Sequence, residues 1–289
     1  AAGYTNIESH PKAVSEEELI EAIKDAQVVG LRSKTKLRKH ILEQAERLHV
    51  ISAFCIGTDQ IDLDYATEQG IAVFNSPYSS TRSVAELTIG ACIMLMRRLP
   101  EKTAQVHEGK WPKSAKGSHE VRGKTLGIVG YGRIGSQVGV MAEALGMHVI
   151  FHDIEPKLAM SNNQPVESLE ELLAQSDIVT MHVPDTPETV EMMGEKQFAM
   201  MKEGAHFINY ARGKVVVPEA VASAVESGRL AGVAMDVYPV EPASPQDPFE
   251  HPLQGKPNVL LSPHIGGSTQ EAQAAIGVDS ANKIIQFLD

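Results

Sequence analysis

The sequence predicts an α/β protein made of two doubly wound, parallel-sheet domains. Three observations carry that reading. Short apolar, β-rich runs recur along the 289 residues with helical patterns between them. The runs are almost continuously apolar, as strands covered on both faces require. The helical stretches between them carry recognisable end signals. Strand–helix alternation of this kind is the pattern of doubly wound sheets.

In chain order the runs are Val28–Leu31, Val50–Ile56, Ile71–Phe74, Leu126–Val129, Val149–Phe151, Ile178–Val183, His206–Ile208, Val233–Val237 and Val259–Leu261. Ser15-x-x-Glu18, Ser83-x-x-Glu86, Ser168-x-x-Glu171 and Ser268-x-x-Glu271 read as capping boxes, which satisfy N–H groups that a first helical turn leaves open. Gly146, Gly204 and Gly228 stand where helices end, and Pro218 suits a first turn. The first domain covers residues 1–79 and takes back the final helix, so that 267–289 belong to it. The second, 80–266, opens with the apolar helix Ser83–Leu99. Ala1-Ala2-Gly3-Tyr4 reads as a helix end with its glycine cap; a doubly wound domain opens with a strand, so one βα unit is expected upstream.

Composition narrows the function. Apolar residues at 43% and charged residues at 22% exclude a disordered, collagen-like or disulfide-framework chain. Lys+Arg number 26 against 37 Asp+Glu, a net charge of −11; nucleic-acid affinity rests largely on cations against phosphate, so no nucleic acid is expected as a partner. The longest strongly apolar stretch, Leu87–Met96, stops at Arg97-Arg98, short of the ~20 residues that span a bilayer. Cys55 and Cys92 form no CxxC or Cys/His spacing, so a metal site is not expected and a reducing, cytoplasmic setting is.

Gly130-Tyr131-Gly132-Arg133-Ile134-Gly135 is a GxGxxG placed directly after the run Thr125–Val129 and at the opening of the helical pattern Ser136–Leu145, the context that makes the motif specific. Gly130 permits the tight turn, Gly132 lets backbone approach a pyrophosphate, and Gly135 allows close helix–strand packing. The helix N-terminus then favours the anion. Asp153 ends the next run, near the ~20-residue spacing of a ribose-binding acid. A carboxylate there would repel a 2′-phosphate by ~4 kcal/mol per charge pair at about 4 Å and an effective dielectric near 20, which predicts NAD over NADP.

Ligands of open parallel sheets bind beyond the carboxyl ends of strands. There the sequence places Gly130, Asp153, His182-Val183-Pro184, Asn209-Tyr210-Ala211-Arg212, Asp236 and His264. Oxidising a 2-hydroxy acid needs a fixed cation for the carboxylate, a base with pKa near 7, and an acid to hold that base. Arg212 can be the cation, because its planar fork matches a carboxylate. His264 can be the base and Glu241 its partner. His182, with Val183 and Pro184, reads as a structural or cofactor-contacting group. Asp236 is placed to hydrogen-bond a nicotinamide carboxamide.

With these motifs in place the chain resembles the D-isomer-specific 2-hydroxyacid dehydrogenases, and within them the branch acting on phosphoglycerate. The likeness runs through Gly30-Leu31-Arg32-Ser33-Lys34-Thr35, Cys55-Ile56-Gly57-Thr58-Asp59-Gln60-Ile61-Asp62, Thr81-Arg82-Ser83-Val84-Ala85-Glu86, the glycine motif, Asn209-Tyr210-Ala211-Arg212-Gly213, Asp236-Val237-Tyr238-Pro239-Val240-Glu241-Pro242 and Pro263-His264-Ile265-Gly266-Gly267-Ser268-Thr269. The resemblance implies a Rossmann cofactor domain and a flavodoxin-like substrate domain, the latter lacking its first unit. It implies the catalytic set Arg212, Glu241 and His264. It also implies NAD contacts at Arg133, Ile134, Asp153, Tyr210, Ala211, Arg212, Asp236 and from His264 to Gly266 and Gly267, and a homodimer or larger assembly joined through the cofactor domain. Tyr210 stands where a small residue is common in the family, and Ser80 where asparagine is. Relatives carry a further C-terminal domain that binds serine, so feedback control is not expected within these residues.

Arg32, Lys34, Lys36, Arg38 and Lys39 reverse the chain's net charge locally, just beyond the Val28–Leu31 run. A phosphorylated three-carbon acid would be drawn there. Arg32 and Ser33 are expected to contact such a small anionic substrate; Lys36, Arg38 and Lys39 are expected on a solvated helix face. The reaction implied is oxidation of D-3-phosphoglycerate, the entry to serine biosynthesis. Reduction of hydroxypyruvate, glyoxylate or 2-oxoglutarate, or a non-enzymatic NAD-sensing corepressor, are the alternatives. Trp111, the only tryptophan, is expected to anchor a neighbouring subunit or, alternatively, to cover its own domain.

Overall fold

The computed structural model describes every residue except 1, 2, 11, 13, 243 and 245. Of the helix end expected at the start, Ala1 and Ala2 therefore lie outside the described residues. The chain divides into two units, residues 1–80 with 268–289, and residues 81–267.

In the first unit the helix α1 (Glu16–Ile23) begins at a complete capping box of Ser15 and Glu18. It leads to β1 (Val28–Leu31), α2 (Lys39–Leu42), β2 (Val50–Ala53), α3 (Leu63–Glu68) and β3 (Ala72–Asn75). The three strands pair in parallel in the order β1-β2-β3. Ile23, Leu31, Ile41, Ile51 and Ala66 fill the space between sheet and helices. The C-terminal helix Gln270–Leu288 packs on β2 and β3. Its cap is Thr269, which accepts the Ala272 N–H; the expected Ser268 box is one residue out of register. Lys36 lies in a connection and Arg38 at the N-cap of α2, donating to the Asp59 carbonyl. Lys39 is the exposed first residue of α2, as expected, whereas Lys36 and Arg38 belong to the loop leading into that one-turn helix and not to a helix face.

The second unit opens with α4 (Thr81–Met96) and α5 (Leu99–His107). The helix α4 starts two residues before the expected Ser83 cap, so Ser83 lies inside its first turn. The polar helix α5 was not anticipated. The rest is β4 (Thr125–Val129), α6 (Arg133–Ala144), β5 (His148–His152), the two-residue β6 (Gln164–Pro165), α7 (Leu169–Gln175), β7 (Ile178–Met181), α8 (Glu195–Met200), β8 (Ala205–Asn209), a 3-10 turn Gly213–Val215, α9 (Pro218–Glu226), β9 (Leu230–Met235) and β10 (Val259–Leu261). The expected runs Val50–Ile56, Ile178–Val183 and Val233–Val237 overshoot, because apolar residues continue into buried loops after pairing has ended.

All pairings are parallel, in the order β10-β9-β8-β7-β4-β5-β6. Chain direction across the sheet reverses between β4 and β7, the topological switch at which such sheets bind ligands. Two cores cover its faces. Leu126, Ile128, Ile178, Ile208 and Ala234 meet α4 and α6 on one side; Val179, Phe207, Val233 and Met235 meet α7, α8 and α9 on the other. Each fully buried aliphatic or aromatic side chain contributes about 1.5–3 kcal/mol. Trp111 is 81% exposed and so does not cover its own unit.

Candidate active site

The register of the second sheet builds the site. His152, Val129, Met181, Asn209, Met235 and Leu261 lie in one row across β5, β4, β7, β8, β9 and β10. One residue further along each strand come Asp153, Gly130, His182, Tyr210, Asp236 and Ser262. Six polar or permissive residues, far apart in the chain, are thereby brought to one edge.

At the switch, Gly130 has φ +90° and a Cβ there would lie 2.7 Å from the His182 carbonyl oxygen and 3.0 Å from Val183. A Cβ at Gly135 would collide with the Gly130 carbonyl oxygen and press on Ile128, so the helix α6 sits this close to β4 only because the residue is glycine. A Cβ on Gly132 would meet nothing within 4 Å. Gly132, the N-cap of α6, offers no side-chain cap, and an N-terminus of this kind, at the residues Arg133 and Ile134, is the helix end that suits a phosphate. Asp153 closes the loop from β5, its Oδ2 accepting the Tyr131 N–H at 2.8 Å and its Oδ1 the Glu155 N–H at 3.1 Å. The Tyr131 ring stacks on Phe151 at 3.7 Å and its hydroxyl donates to Asn163 at 2.7 Å. The glycine turn, the helix N-terminus without a side-chain cap and the anchored carboxylate fit a dinucleotide.

Burial of the ring pushes the His182 pKa down to about 3, and its buried Nδ1 has no hydrogen-bond partner among the described residues. The ring is neutral, and its Nε2 lies 3.1 Å from the Thr180 hydroxyl. Pro184 follows in the same loop, its carbonyl taking the Thr189 hydroxyl at 2.7 Å.

The loop after β8 carries Arg212. Buried Asn209 shapes it, accepting the Ala211 N–H at 3.1 Å and donating to the Arg212 carbonyl at 2.9 Å. A Cβ on Gly213 would strike the Tyr238 backbone, so this glycine lets the loops after β8 and β9 touch. The loop after β10 carries His264, at φ +54°. That left-handed geometry is unusual for a non-glycine residue. Asp236 holds it: Oδ1 accepts the Ser262 hydroxyl at 2.6 Å and the Ile265 N–H at 2.9 Å, and Oδ2 accepts the Gly266 N–H at 2.7 Å. Asp236, expected to face a nicotinamide carboxamide, thus anchors the histidine loop in this structure. Gly267 follows as the last residue of the unit.

Glu241 reaches His264, with both carboxylate oxygens 2.9 Å from Nδ1. A carboxylate only accepts, so Nδ1 carries the proton and the neutral ring presents its lone pair at Nε2. The Glu241 hydrogen bond raises the His264 pKa above the ordinary imidazole value; burial opposes the rise, the charges of Glu241 and Asp236 add to it, and Arg212 lowers it. Arg212 therefore acts on the same imidazole. A half-exposed base, its supporting acid and a guanidinium share one edge of the sheet. The arrangement can fix a carboxylate and take a proton from a neighbouring hydroxyl. Arg32 and Ser33 lie in the other unit, directly after β1, and both are exposed. Ser262 and Tyr238, whose hydroxyl donates to the Met235 and Ser262 carbonyls at 3.1 and 3.0 Å, were missed in the sequence. Only the register of β9 and β10 reveals them.

Comparison with known proteins places this geometry. Residues 89–266 match the model of the D-isomer specific 2-hydroxyacid dehydrogenase NAD-binding domain. The chain is 54% identical to D-3-phosphoglycerate dehydrogenase of Escherichia coli over 289 residues, covering 100% of this chain and 70% of the relative. It is 49% identical to D-3-phosphoglycerate dehydrogenase 1 of Saccharomyces cerevisiae over 295 residues, covering 99% and 63%. Among solved structures, a D-lactate dehydrogenase from Aquifex aeolicus complexed with NAD and lactic acid aligns with a TM-score of 0.84 at 31% identity, covering 95% of this chain and 85% of that one.

Proposed function

Because the chain belongs to the D-isomer-specific 2-hydroxyacid dehydrogenases, we propose that it carries out the reversible, NAD-dependent oxidation of D-3-phosphoglycerate to 3-phosphohydroxypyruvate, the first step of serine biosynthesis. The bacterial and yeast relatives that match almost the whole chain carry that activity in their names. The observation that carries the mechanism is the His264–Glu241 pair, with Arg212 within its electrostatic reach.

Bound NAD supplies the hydride acceptor for the hydroxyl-bearing carbon. His264 Nε2 takes the hydroxyl proton. Glu241 keeps the ring in the tautomer that exposes Nε2 and stabilises the imidazolium that results. Arg212 clamps the substrate carboxylate with its fork. Gly130, Gly132, Gly135 and the first-turn amides of Arg133 and Ile134 hold the pyrophosphate, and Asp153 takes the ribose hydroxyl. His182, Val183, Pro184, Tyr210, Ala211, Asp236, Gly266 and Gly267 line the same edge. Arg32 and Ser33 contact the substrate phosphate.

The assembly we propose is a homodimer or larger, joined through the cofactor domain. Exposed Ile93, Leu99, Val106, Trp111 and Val140 of α4, α5, α6 and their flank support it. No described helix is long and apolar enough to cross a membrane. The cytoplasmic location we propose rests on the reducing setting that the spacing of Cys55 and Cys92 suits.

NADH oxidation against a panel of phosphorylated and plain 2-oxo acids tests the reading. Preference for phosphohydroxypyruvate supports it. NAD binding without turnover on any 2-oxo acid would favour a sensor. Replacing Arg32 by alanine should raise KM for the phosphorylated substrate by about 10–100-fold, the worth of a charged hydrogen bond. An unchanged KM would place the phosphate elsewhere.

A further inference from the structure

Tyr210 lies one step past the end of β8, in the row that carries the site, and is 5% exposed. Its hydroxyl is sealed from solvent and makes no hydrogen bond among the described residues. A buried hydroxyl without a partner costs about 1–3 kcal/mol, so what surrounds it matters. Ser262 is within hydrogen-bonding reach of it, and Asp236, Cys92 and Tyr238 act on it electrostatically; Asp236 and Ser262 stand in the same row, past the ends of β9 and β10.

Three of those four groups offer the phenol no acceptor that is not already engaged or weak. The Tyr238 hydroxyl is used by the Met235 and Ser262 carbonyls. The Cys92 thiol is buried and uncharged, its pKa pushed up to about 12. Asp236 already accepts from Ser262, Ile265 and Gly266. Ser262 gives its only proton to Asp236, and its oxygen keeps lone pairs free to accept. It is the acceptor beside the phenol that nothing else claims.

We propose that Tyr210 is a positioning residue, which donates to Ser262 Oγ and so completes a relay from Tyr210 through Ser262 and Asp236 to the backbone N–H groups of Ile265 and Gly266, directly after His264. A hydroxyl that accepts a hydrogen bond becomes a better donor. The phenol therefore tightens the Ser262–Asp236 bond, and Asp236 in turn holds His264 at its left-handed φ through Ile265 and Gly266. The relay fixes where Nε2 points rather than touching substrate. It gives this chain's bulky residue at position 210 a task that a small side chain there could not perform. The inference rests on the dehydrogenase reading and on His264 as its base.

A double-mutant cycle tests it. Tyr210→Phe removes one oxygen and keeps the ring, and Ser262→Ala removes the relay's middle member. Tyr210→Phe should lower kcat about three- to tenfold, the worth of one neutral hydrogen bond, while KM for NAD changes less than twofold. In a Ser262→Ala background the same substitution should have almost no further effect, because the link is already cut. Additive losses would overturn the relay, as would a rise in KM for NAD with kcat unchanged, which would make the phenol a cofactor contact. Absence of turnover in the unmutated protein would instead sink the dehydrogenase reading itself. If Tyr210→Phe matches the unmutated protein in both constants, the phenol does no positioning.

Discussion

Two histidines of the second unit stand at opposite ends of the same sheet, and the contrast between them explains where the chemistry lies. His206 is near the start of β8, 4% exposed, its pKa driven down to about 4 mainly by burial. Around it the charges satisfy one another: Asp177 accepts the Thr125 N–H at 2.8 Å and pairs with Lys202 at 3.0 Å. His264 follows the end of β10, half exposed, its pKa raised by Glu241. Its loop is anchored by Asp236 through backbone groups, so the imidazole edge carrying Nε2 stays open. Both ends of the sheet hold a carboxylate, a cation and a histidine. At one end the lysine and the carboxylate pair with each other and the histidine is buried; at the other, Asp236 is taken up by the histidine loop and Glu241 by Nδ1, which leaves Nε2 for a ligand. Residue type alone does not mark a site.

The sharpest way to break the comparison is to exchange one histidine at a time. His264→Asn should lower kcat about 10²–10⁴-fold, the usual worth of a positioned base. His206→Asn should lower the melting temperature and leave kcat within about twofold, since a buried structural histidine acts on stability alone. Comparable losses of kcat from both, by steady-state kinetics on folded protein, would erase the distinction.

Arg212→Lys comes next. It keeps the charge and loses the fork, so kcat/KM should fall about 10–100-fold with the loss of a charged hydrogen bond. Full activity with lysine would show that a point charge suffices.

Glu241→Gln sharpens the electrostatic half. A raised pKa means that His264 holds its proton to higher pH than an ordinary imidazole, and oxidation needs it deprotonated. Removing the carboxylate charge must lower that pKa. The acidic limb of the pH profile for kcat/KM should then move to lower pH, while kcat falls about tenfold as orientation is lost. A limb that stays in place would remove Glu241 as the cause.

The smallest effect concerns stability. His182 and His206 are depressed to about 3 and about 4. The unfolded chain therefore takes up protons near the ordinary imidazole pKa that the folded chain refuses. Their contribution is intact above about pH 6.5 and is lost as pH falls towards 4; each such histidine costs about 2 kcal/mol by pH 5. Denaturant midpoints that stay flat from pH 7 to 5 would contradict their burial.

These outcomes also bear on what the sequence could disclose. The strands were legible because parallel strands covered on both faces leave nearly unbroken apolar runs. The glycine motif was legible because each glycine answers a local steric demand, visible at Gly130 and Gly135. The helix α5, Leu99–His107, was not, because no residue of it is buried and it shows no apolar stripe. Ser83 misled, since a Ser-x-x-Glu inside a helix has the same spacing as a cap. The groups that hold the site were hidden for a different reason. Asp236 and Ser262 meet because Met235 pairs with Leu261 across β9 and β10, and the register of two strands 26 residues apart is set by packing, which no local pattern encodes.

The most direct test of the central claim is a crystal structure of the protein with NAD and D-3-phosphoglycerate bound together. The account predicts the Arg212 guanidinium on the substrate carboxylate and His264 Nε2 within hydrogen-bond distance of the 2-hydroxyl, with Glu241 still on Nδ1. A substrate seated with its hydroxyl away from His264, or with its carboxylate held by groups other than Arg212, would contradict it.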